Sequence, residues 1–261
     1  MQNSTPISVV IPCFNEEKNM EGCLESVKWA DEILVVDSYS IDSTLEIVAR
    51  YTDRILQREY KNHADQLNWA IPQAKNKWVL VVDADERIPT SLANEIRDVD
   101  LNKTNIDGYW IKRDNHLFGK KMRFSGWGRD KVLRLFKKEI GRKEAKRVHA
   151  EFQVPNSGNL EGRIKHYPMP SMEAWVEKIN RYSTWKALDK VEKGSPHALL
   201  HFFCRPPIRF IKDSVFRLGI LDGWRGILVA AMSAFAEMIM SAKMIQLQRS
   251  GSKSDQKVCN R

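Results

Sequence analysis

Cysteine is scarce: the 261 residues hold four, Cys13, Cys23, Cys204 and Cys259, with no C-x-x-C pair and no Cys/His set at metal-ligand spacing. That excludes a zinc ribbon, a thioredoxin-type pair and a disulfide scaffold, and it points to a reducing compartment. Thirteen glycines and ten prolines make no collagen repeat and leave little room for long flexible linkers. No G-x-G-x-x-G follows the first apolar run and no G-x-x-x-x-G-K-[ST] occurs anywhere, so the dinucleotide fingerprint and the P-loop are both missing. The opening MQNSTPISVVIP has no basic stretch ahead of a long apolar run and no small-residue cleavage site, so an ordinary secretory signal is not expected.

What is present is globular, 43% apolar and 29% charged, enough for one sizeable core. The net charge of +9 is unevenly spread. Residues 1–111 carry 11 basic and 19 acidic side chains, 112–217 carry 25 and 11, and 218–261 carry 6 and 3. An acidic first part before a basic one argues for two surfaces with different partners; nucleic acid is not expected to be one of them. The basic part suits phosphates, on a nucleotide or on a membrane.

Ile7 to Pro12, Glu32 to Asp37 and Trp78 to Asp83 are short β-branched runs of the kind buried on both sheet faces, and Arg54 to Gln57 adds another strand. Helical patterns over Lys18 to Trp29, Ser43 to Tyr51 (N-cap Asp42) and Ala64 to Ala74 alternate with them, predicting an α/β fold with a parallel sheet. Short strands at Gly108 to Arg113, Val132 to Phe136 and Leu160 to Tyr167 suit a mixed sheet edge. A helix follows from Ser171 to about Glu192, with Trp175, Ile179, Tyr182 and Trp185 as its core stripe.

Ligands of such sheets sit at the carboxyl ends of the strands, where this chain places Asn15-Glu16-Glu17, Asp37 and Asp83-Ala-Asp85-Glu86. Alternation along an extended chain predicts that Asp83 and Asp85 face one site. Two carboxylates there suit a Mg or Mn ion carrying a diphosphate, one of them alternatively serving a ribose hydroxyl. A lone D-x-D is equally a helix cap or a solvated turn.

The motifs P-C-F-N-E-E, V-V-D-S, Q-L-N-W-A and V-V-D-A-D-E come in this order, and through them Ile7 to about Arg97 resembles the inverting family 2 glycosyltransferases of GT-A fold. Val148-His-Ala-Glu151, His166-Tyr-Pro168, Asn180-Arg-Tyr-Ser183 and Phe216-Arg-Leu-Gly-Ile-Leu-Asp-Gly223 resemble the subgroup that adds sugars to lipopolysaccharide core. The resemblance implies a Rossmann-like, mostly parallel sheet flanked by helices, with a C-terminal helical membrane-associating extension. It also implies that Pro12, Asn15, Glu17 and Asp37 line the nucleotide pocket, that Gln66 and Asn68 lie near the diphosphate or nucleoside, and that Asp83 touches the ribose and Asp85 the divalent metal (Mg or Mn). Two departures stand out: the usual G-S-T-D is Tyr39-Ser40-Ile41-Asp42, and V-H-E is opened to V-H-A-E.

The implied reaction moves a hexose from a UDP-sugar to a hydroxyl of a glycolipid or lipopolysaccharide-core acceptor by metal-assisted inverting displacement. Its catalytic base is expected at Glu151, with Asp130 as the second choice and a salt bridge as the alternative for either. His149 and His166 are read as structural histidines or as metal or phosphate ligands. The basic run Arg134, Lys137, Lys138, Arg142, Lys143, Lys146 and Arg147 is read as a contact for a phosphorylated acceptor or anionic lipid, or as a solvated loop. Alternative functions are a non-catalytic nucleotide-sugar-binding or membrane-scaffold paralogue and a sugar nucleotidyltransferase; the latter normally needs a Gly-rich loop that is absent near the first strand.

Past a break at Pro206-Pro207, Ile208, Ile211, Val215 and Leu218 share one face of an interfacial helix. Residues 226–242 are nearly apolar, but they contain Glu237 and are short for roughly 30 Å of hydrocarbon. Monotopic or hairpin insertion is expected, and a soluble packing or dimer helix is the alternative. The expected division is a nucleotide-sugar half (1–107), an acceptor half (108–205) and a membrane-associated tail (206–261). The expected location is the cytoplasmic face of the inner membrane, peripheral or monotopic, with oligomeric state open.

Overall fold

The computed structural model describes residues 5–101, 105–140, 142–143, 152–194 and 197–249. In chain order the elements are β1 (Ile7–Cys13), α1 (Glu17–Val27), β2 (Glu32–Asp37), α2 (Thr44–Val48), β3 (Ile55–Gln57), α3 (His63–Ala70), β4 (Trp78–Val81), β5 (Glu86–Arg87) and α4 (Thr90–Asp98). There follow β6 (Gly108–Leu117), β7 (Lys120–Lys121), β8 (Lys131–Lys137), β9 (Arg142–Lys143), β10 (Phe152–Gln153), β11 (Ser157–His166), α5 (Met172–Glu192), α6 (Ala198–Ile211) and α7 (Trp224–Arg249). They form two compact units, residues 1–116 with 129–168, and residues 117–128 with 169–261.

In the first unit the sheet order is β3-β2-β1-β4-β8-β6-β11-β5. The β1, β2, β3 and β4 pairings are parallel, as is β6 with β11; β8 runs antiparallel to β4 and β6, and β5 antiparallel to β11. Apolar side chains alternate between two cores. Val9, Ile11, Val35 and Leu80 pack with Met20, Leu24 and Val27 of α1 and with Leu92 and Ile96 of α4. Val10, Leu34, Val36, Val79 and Val81 pack with Leu67 and Ala70 of α3 and with Phe136. Burial on both faces is why these strands read as unbroken apolar runs. Helix α4 carries its core residues at three- and four-residue spacing and lies outside the elements expected from the sequence.

The register places the site. Cys13, Asp37 and Gln57 stand side by side at the carboxyl ends of β1, β2 and β3. Across the sheet, Asn115 of β6 pairs with His166 of β11, and His166 pairs with Glu86 of β5.

The second unit is built on α5, α6 and α7. Ser171 caps α5 by accepting from Ala174 N at 3.2 Å. The buried α5 residues are Trp175, Ile179, Ser183 and Ala187, a four-residue repeat. Tyr182 and Trp185 instead lie beside each other, 5.2 Å apart, with the Arg181 guanidinium over both rings. That corrects the expected stripe: strict i, i+4 spacing selected smaller residues. Helix α6 runs through Pro206 and Pro207, where a break was expected, and ends in a π-helical turn at Lys212–Phe216. Proline's φ is itself helical, so both residues are accommodated in α6 although each lacks the N–H donor of a helix interior. The apolar stretch 226–242 belongs to the single continuous helix α7.

Candidate active site

The site residues fall into two groups at the carboxyl edge of the first unit's sheet. In the first, the loops after β1 and β2 are tied together. Asn15 N donates to Ser40 Oγ (2.8 Å), Asn15 Oδ1 accepts from Ile41 N (2.9 Å), Glu17 N donates to Asp42 Oδ2 (3.2 Å) and Glu17 Oε2 accepts from Ser43 N (3.3 Å). Both loops carry a residue in the left-handed region, Asn15 at φ 52° and Tyr39 at φ 62°. Asparagine tolerates that region, whereas tyrosine is strained in it, and Tyr39 occupies the place where the resembling family has glycine. Pro12 is half-buried at the end of β1, and Asn15 and Glu17 are exposed.

Asp37 is fully buried and accepts from Ser40 Oγ (2.5 Å), Ser40 N (3.0 Å) and Gln57 Nε2 (3.1 Å). Beside it, Gln66 Nε2 donates to Ser38 Oγ (3.2 Å), while Gln66 Oε1 is buried and meets no hydrogen-bond partner among the described residues. Asn68 is half-buried on the same helix α3. Asp37 thus organises the loop through its hydrogen bonds, and a buried amide acceptor remains for a ligand donor.

The second group surrounds the two aspartates. Strand β4 ends at Val81, and residues 83–86 form a tight turn closed by Glu86 N donating to Asp83 O (2.9 Å). The alternation expected of an extended chain therefore does not apply, and the two carboxylates hold different partners. Asp83 is paired with Arg134, and His63 Nε2 lies 3.8 Å from its Oδ1. Asp85 Oδ2 lies 3.4 Å from His166 Nε2.

A continuous polar chain joins the two aspartates. His166 Nδ1 lies 2.5 Å from Asn115 Oδ1, and Asn115 Nδ2 donates to Asp130 Oδ2 (3.1 Å). Asp130 also accepts from Arg113 Nη2 (2.6 Å) and Nε (2.8 Å), and Arg113 reaches Glu86 Oε1 (3.2 Å). Arg134 Nη2 donates to Glu86 Oε1 (2.8 Å) and to Asp83, closing the chain. Glu86 is fully buried and Arg134 nearly so. Burial alone would lower the arginine pKa, but the charges and hydrogen bonds of Asp83 and Glu86 hold it above its ordinary value.

A family model described as glycosyl transferase family 2 matches residues 8–153, more than half the chain. Over 250 residues, 92% of each chain, it is 30% identical to the lipopolysaccharide core biosynthesis glycosyltransferase LpsC of Rhizobium meliloti (strain 1021). The chain belongs to glycosyl transferase family 2. An uncharacterized glycosyltransferase of Rickettsia typhi is 28% identical over 254 residues, 92% of this chain and 87% of that one. Among solved structures, the mannosyltransferase PcManGT from Pyrobaculum calidifontis, in complex with GDP-Man and Mn2+, aligns with a TM-score of 0.54 at 14% identity over 94% of this chain and 88% of that one. The likeness is of fold, and the fold is GT-A.

For a family 2 glycosyltransferase the donor set at Asp85 is informative. Asn115 presents its amide N–H to Asp130 and its Oδ1 to His166 Nδ1. On the other side of the ring, His166 Nε2 faces Asp85 Oδ2 at 3.4 Å. An imidazole nitrogen and a carboxylate oxygen are donor types that could hold a divalent ion, which when bound would supply a Lewis acid. Among the described residues no group of three or more His, Cys, Asp or Glu gathers to hold a metal; Asp85 and His166 are the pair of neighbouring side chains that could contribute to holding one.

The basic run is largely structural where it is described. Arg134 is buried on Asp83 and Glu86, Lys137 pairs with Asp107 (2.8 Å) and Lys138 donates to Ala74 O (2.8 Å). Arg134 points inward from β8, while Lys137 at the strand's end and Lys138 just after it meet acceptors within the unit. Glu151, His149, Lys146 and Arg147 lie outside the described residues, as do the side chains of Arg142 and Lys143. Sequence reasoning did not assign Arg113, Asn115, Glu86 or His63. Glu86 was visible in D-A-D-E, but its arginines come from β6 and β8 through pairings that local sequence does not announce.

Proposed function

We propose that this family 2 glycosyltransferase transfers a hexose from a UDP-sugar to a hydroxyl of a glycolipid or lipopolysaccharide-core acceptor by metal-assisted displacement with inversion. The observation that carries the proposal is the Asp85–His166 donor pair, 3.4 Å apart at the carboxyl edge of a GT-A sheet. The 30% identity to LpsC over 92% of both chains supports the acceptor class.

In this reading residues 1–107 bind the donor and 108–205 receive the acceptor. Pro12, Asn15, Glu17 and Asp37 shape the nucleotide side, with Gln66 and Asn68 offering amides to the nucleoside or diphosphate. Asp83, steadied by Arg134, accepts from a ribose hydroxyl. Asp85 and His166 hold the divalent ion, Mg or Mn, which when bound stabilises charge on the leaving diphosphate as a Lewis acid. The acceptor oxygen forms its bond to the anomeric carbon as the bond to the diphosphate breaks, and a carboxylate on the acceptor side takes the hydroxyl proton. We assign that proton to Glu151. Asp130 takes the second place: three N–H donors already occupy its Oδ2, which suits orienting Asn115 and Arg113 better than collecting a proton.

A glycolipid acceptor places the reaction at a membrane, here the cytoplasmic face of the inner membrane, with residues 206–261 as the associating tail. The test is transfer of labelled hexose from UDP- and GDP-sugars to extracted membrane glycolipid by the full chain, with product anomer read by NMR. Expected are an inverted anomer, loss of transfer in chelator and recovery with Mn. Retention of configuration, or no consumption of any nucleotide sugar with or without metal, contradicts the proposal.

A further inference from the structure

Helix α6 presents the reverse of a soluble helix. On a soluble surface helix the apolar stripe faces the core and the polar residues face water. Here Ala198 is the α6 residue packed into the core of the second unit, with Ala187, Met240 and Met244, while Arg205 lies 3.7 Å from Glu237 of α7. The outward positions are large and apolar. Leu200, Phe203, Ile208, Ile211 and Val215 recur at three- to five-residue spacing, and Phe216 is 79% exposed. Of eighteen exposed large hydrophobic residues among the described ones, eleven lie between Leu199 and Trp224, a tenth of the chain. Scattered apolar residues need no explanation, but a contiguous run of this size marks a contact surface.

The charge along the same segment has one sign outward. Its two acids are buried: Asp213 is held by Arg209 (2.7 Å) and Arg217 (3.0 Å), and Asp222 by the backbone N–H groups of Arg123 and Phe124. Arg205, Arg209 and Arg217 keep 37–41% of their side chains exposed, and Lys212 is exposed. An apolar face edged by cations complements an anionic lipid surface, whereas a two-fold contact between copies would set cation against cation.

We propose that the outward face of α6 and the turns after it, Leu199 to Trp224, is a docking surface for an anionic bilayer, the apolar side chains entering the headgroup boundary and Arg205, Arg209, Lys212 and Arg217 meeting lipid phosphate. The unit seats on the membrane through α6 and leaves α7 in place. Helix α7 has the length and composition to cross a bilayer: it has 26 residues, and an 18-residue stretch within it has mean hydropathy 1.5. Its charged groups nonetheless have partners within the unit: Glu237 lies 3.7 Å from Arg205, whose side chain stays 41% exposed, and Lys243 Nζ reaches Asn180, Ser183 and Thr184 of α5 at 2.6–3.0 Å. Crossing would strip these contacts. This surface rests on the membrane location proposed above and names the face that makes the contact; vesicle binding reads it without any transfer, so its failure and the failure of the transfer reading are distinguishable.

The experiment is co-sedimentation of the full chain with vesicles of phosphatidylethanolamine and phosphatidylglycerol (3:1) and with neutral phosphatidylcholine vesicles. Wild type, the triple variant Phe203→Ser/Ile208→Ser/Phe216→Ser and Lys212→Gln are compared, with light scattering for mass. The substituted side chains are exposed, so unfolding temperatures are expected to stay near wild type. Expected are binding to the anionic vesicles only, at least tenfold weaker partition for the triple variant, and about fivefold weaker for Lys212→Gln, the weight of one cation near an anionic surface. Failure of wild type to bind, equal binding to neutral vesicles or undiminished binding by the triple variant overturns the proposal. So does a wild-type dimer that the triple variant dissolves, which makes a second copy the occupant.

Discussion

Removing the guanidinium of Arg134 is expected to destabilise the first unit severely, because it sits between two carboxylates with almost no access to water. Glu86 is fully buried, and beyond Arg134 its charge is met by Arg113 at 3.2 Å and the Asp83 N–H at 3.0 Å. Breaking a buried pair by deleting one partner costs about 3–5 kcal/mol, since the charge left behind stays desolvated. At about 2–4 °C per kcal/mol for a domain of this size, Arg134→Met is expected to melt roughly 6–20 °C below wild type. Arg134→Lys keeps the charge but loses the fork that reaches both Glu86 and Asp83, and is expected to recover only part of the loss. The decisive comparison is the double variant Arg134→Met/Glu86→Gln, which removes both charges. It is expected to be less destabilised than the sum of the single variants, as the orphaned carboxylate is gone. Urea unfolding of the four proteins reads this directly. Additivity within about 0.5 kcal/mol, or a melting point for Arg134→Met within 2 °C of wild type, refutes the reasoning.

Other perturbations probe the remaining links. Asn115→Leu frees the ring of His166 and is expected to weaken Mn binding in the presence of UDP by about 10–100-fold; calorimetry reads this, and an affinity within twofold of wild type removes Asn115 from the positioning role. Glu32 is buried, which alone would raise its pKa, but hydrogen bonds from Ser8, Lys75 N and Arg54 lower it below the usual carboxylate value. Its contribution is therefore present above about pH 4.3 and lost as pH falls through the lowered folded value. Glu32→Gln is expected to be less stable at pH 7, with the gap to wild type closing in acid; a gap independent of pH argues against the sign. Lys243→Met removes an ammonium shared by four acceptors on α5 and is expected to cost the second unit about 2 kcal/mol, read by denaturant unfolding.

The parts of the fold that depend on burial were readable in advance. Strand β2 falls on Glu32–Asp37 as expected, because a strand covered on both faces must be apolar throughout and that run is self-evident. Helix α4 escaped because Thr-Ser-Leu-Ala-Asn-Glu-Ile-Arg-Asp holds only three core residues in nine positions, and its packing on β11 comes from far along the chain. The π-helical turn after α6 has no sequence signature, and two prolines argued for an earlier stop. At the site, the aspartates and His166 stood out by type and position. Their supports did not: Asn115 meets His166, and Arg134 meets Glu86, only through strand pairings between residues some fifty positions apart. The extended geometry assumed from Asp83 to Asp85 is replaced by a turn, because β4 ends two residues before the first aspartate.

The central claim is that Asp85, opposed by His166, completes a metal-dependent donor site. Calorimetric titration of UDP and GDP into the full chain, with and without Mn, for wild type and Asp85→Ala tests it most directly. The account predicts that wild type binds one nucleotide tightly only when Mn is present and that Asp85→Ala loses this metal-dependent binding while keeping its melting temperature. Equal binding by both proteins, or binding by wild type that ignores Mn, contradicts it.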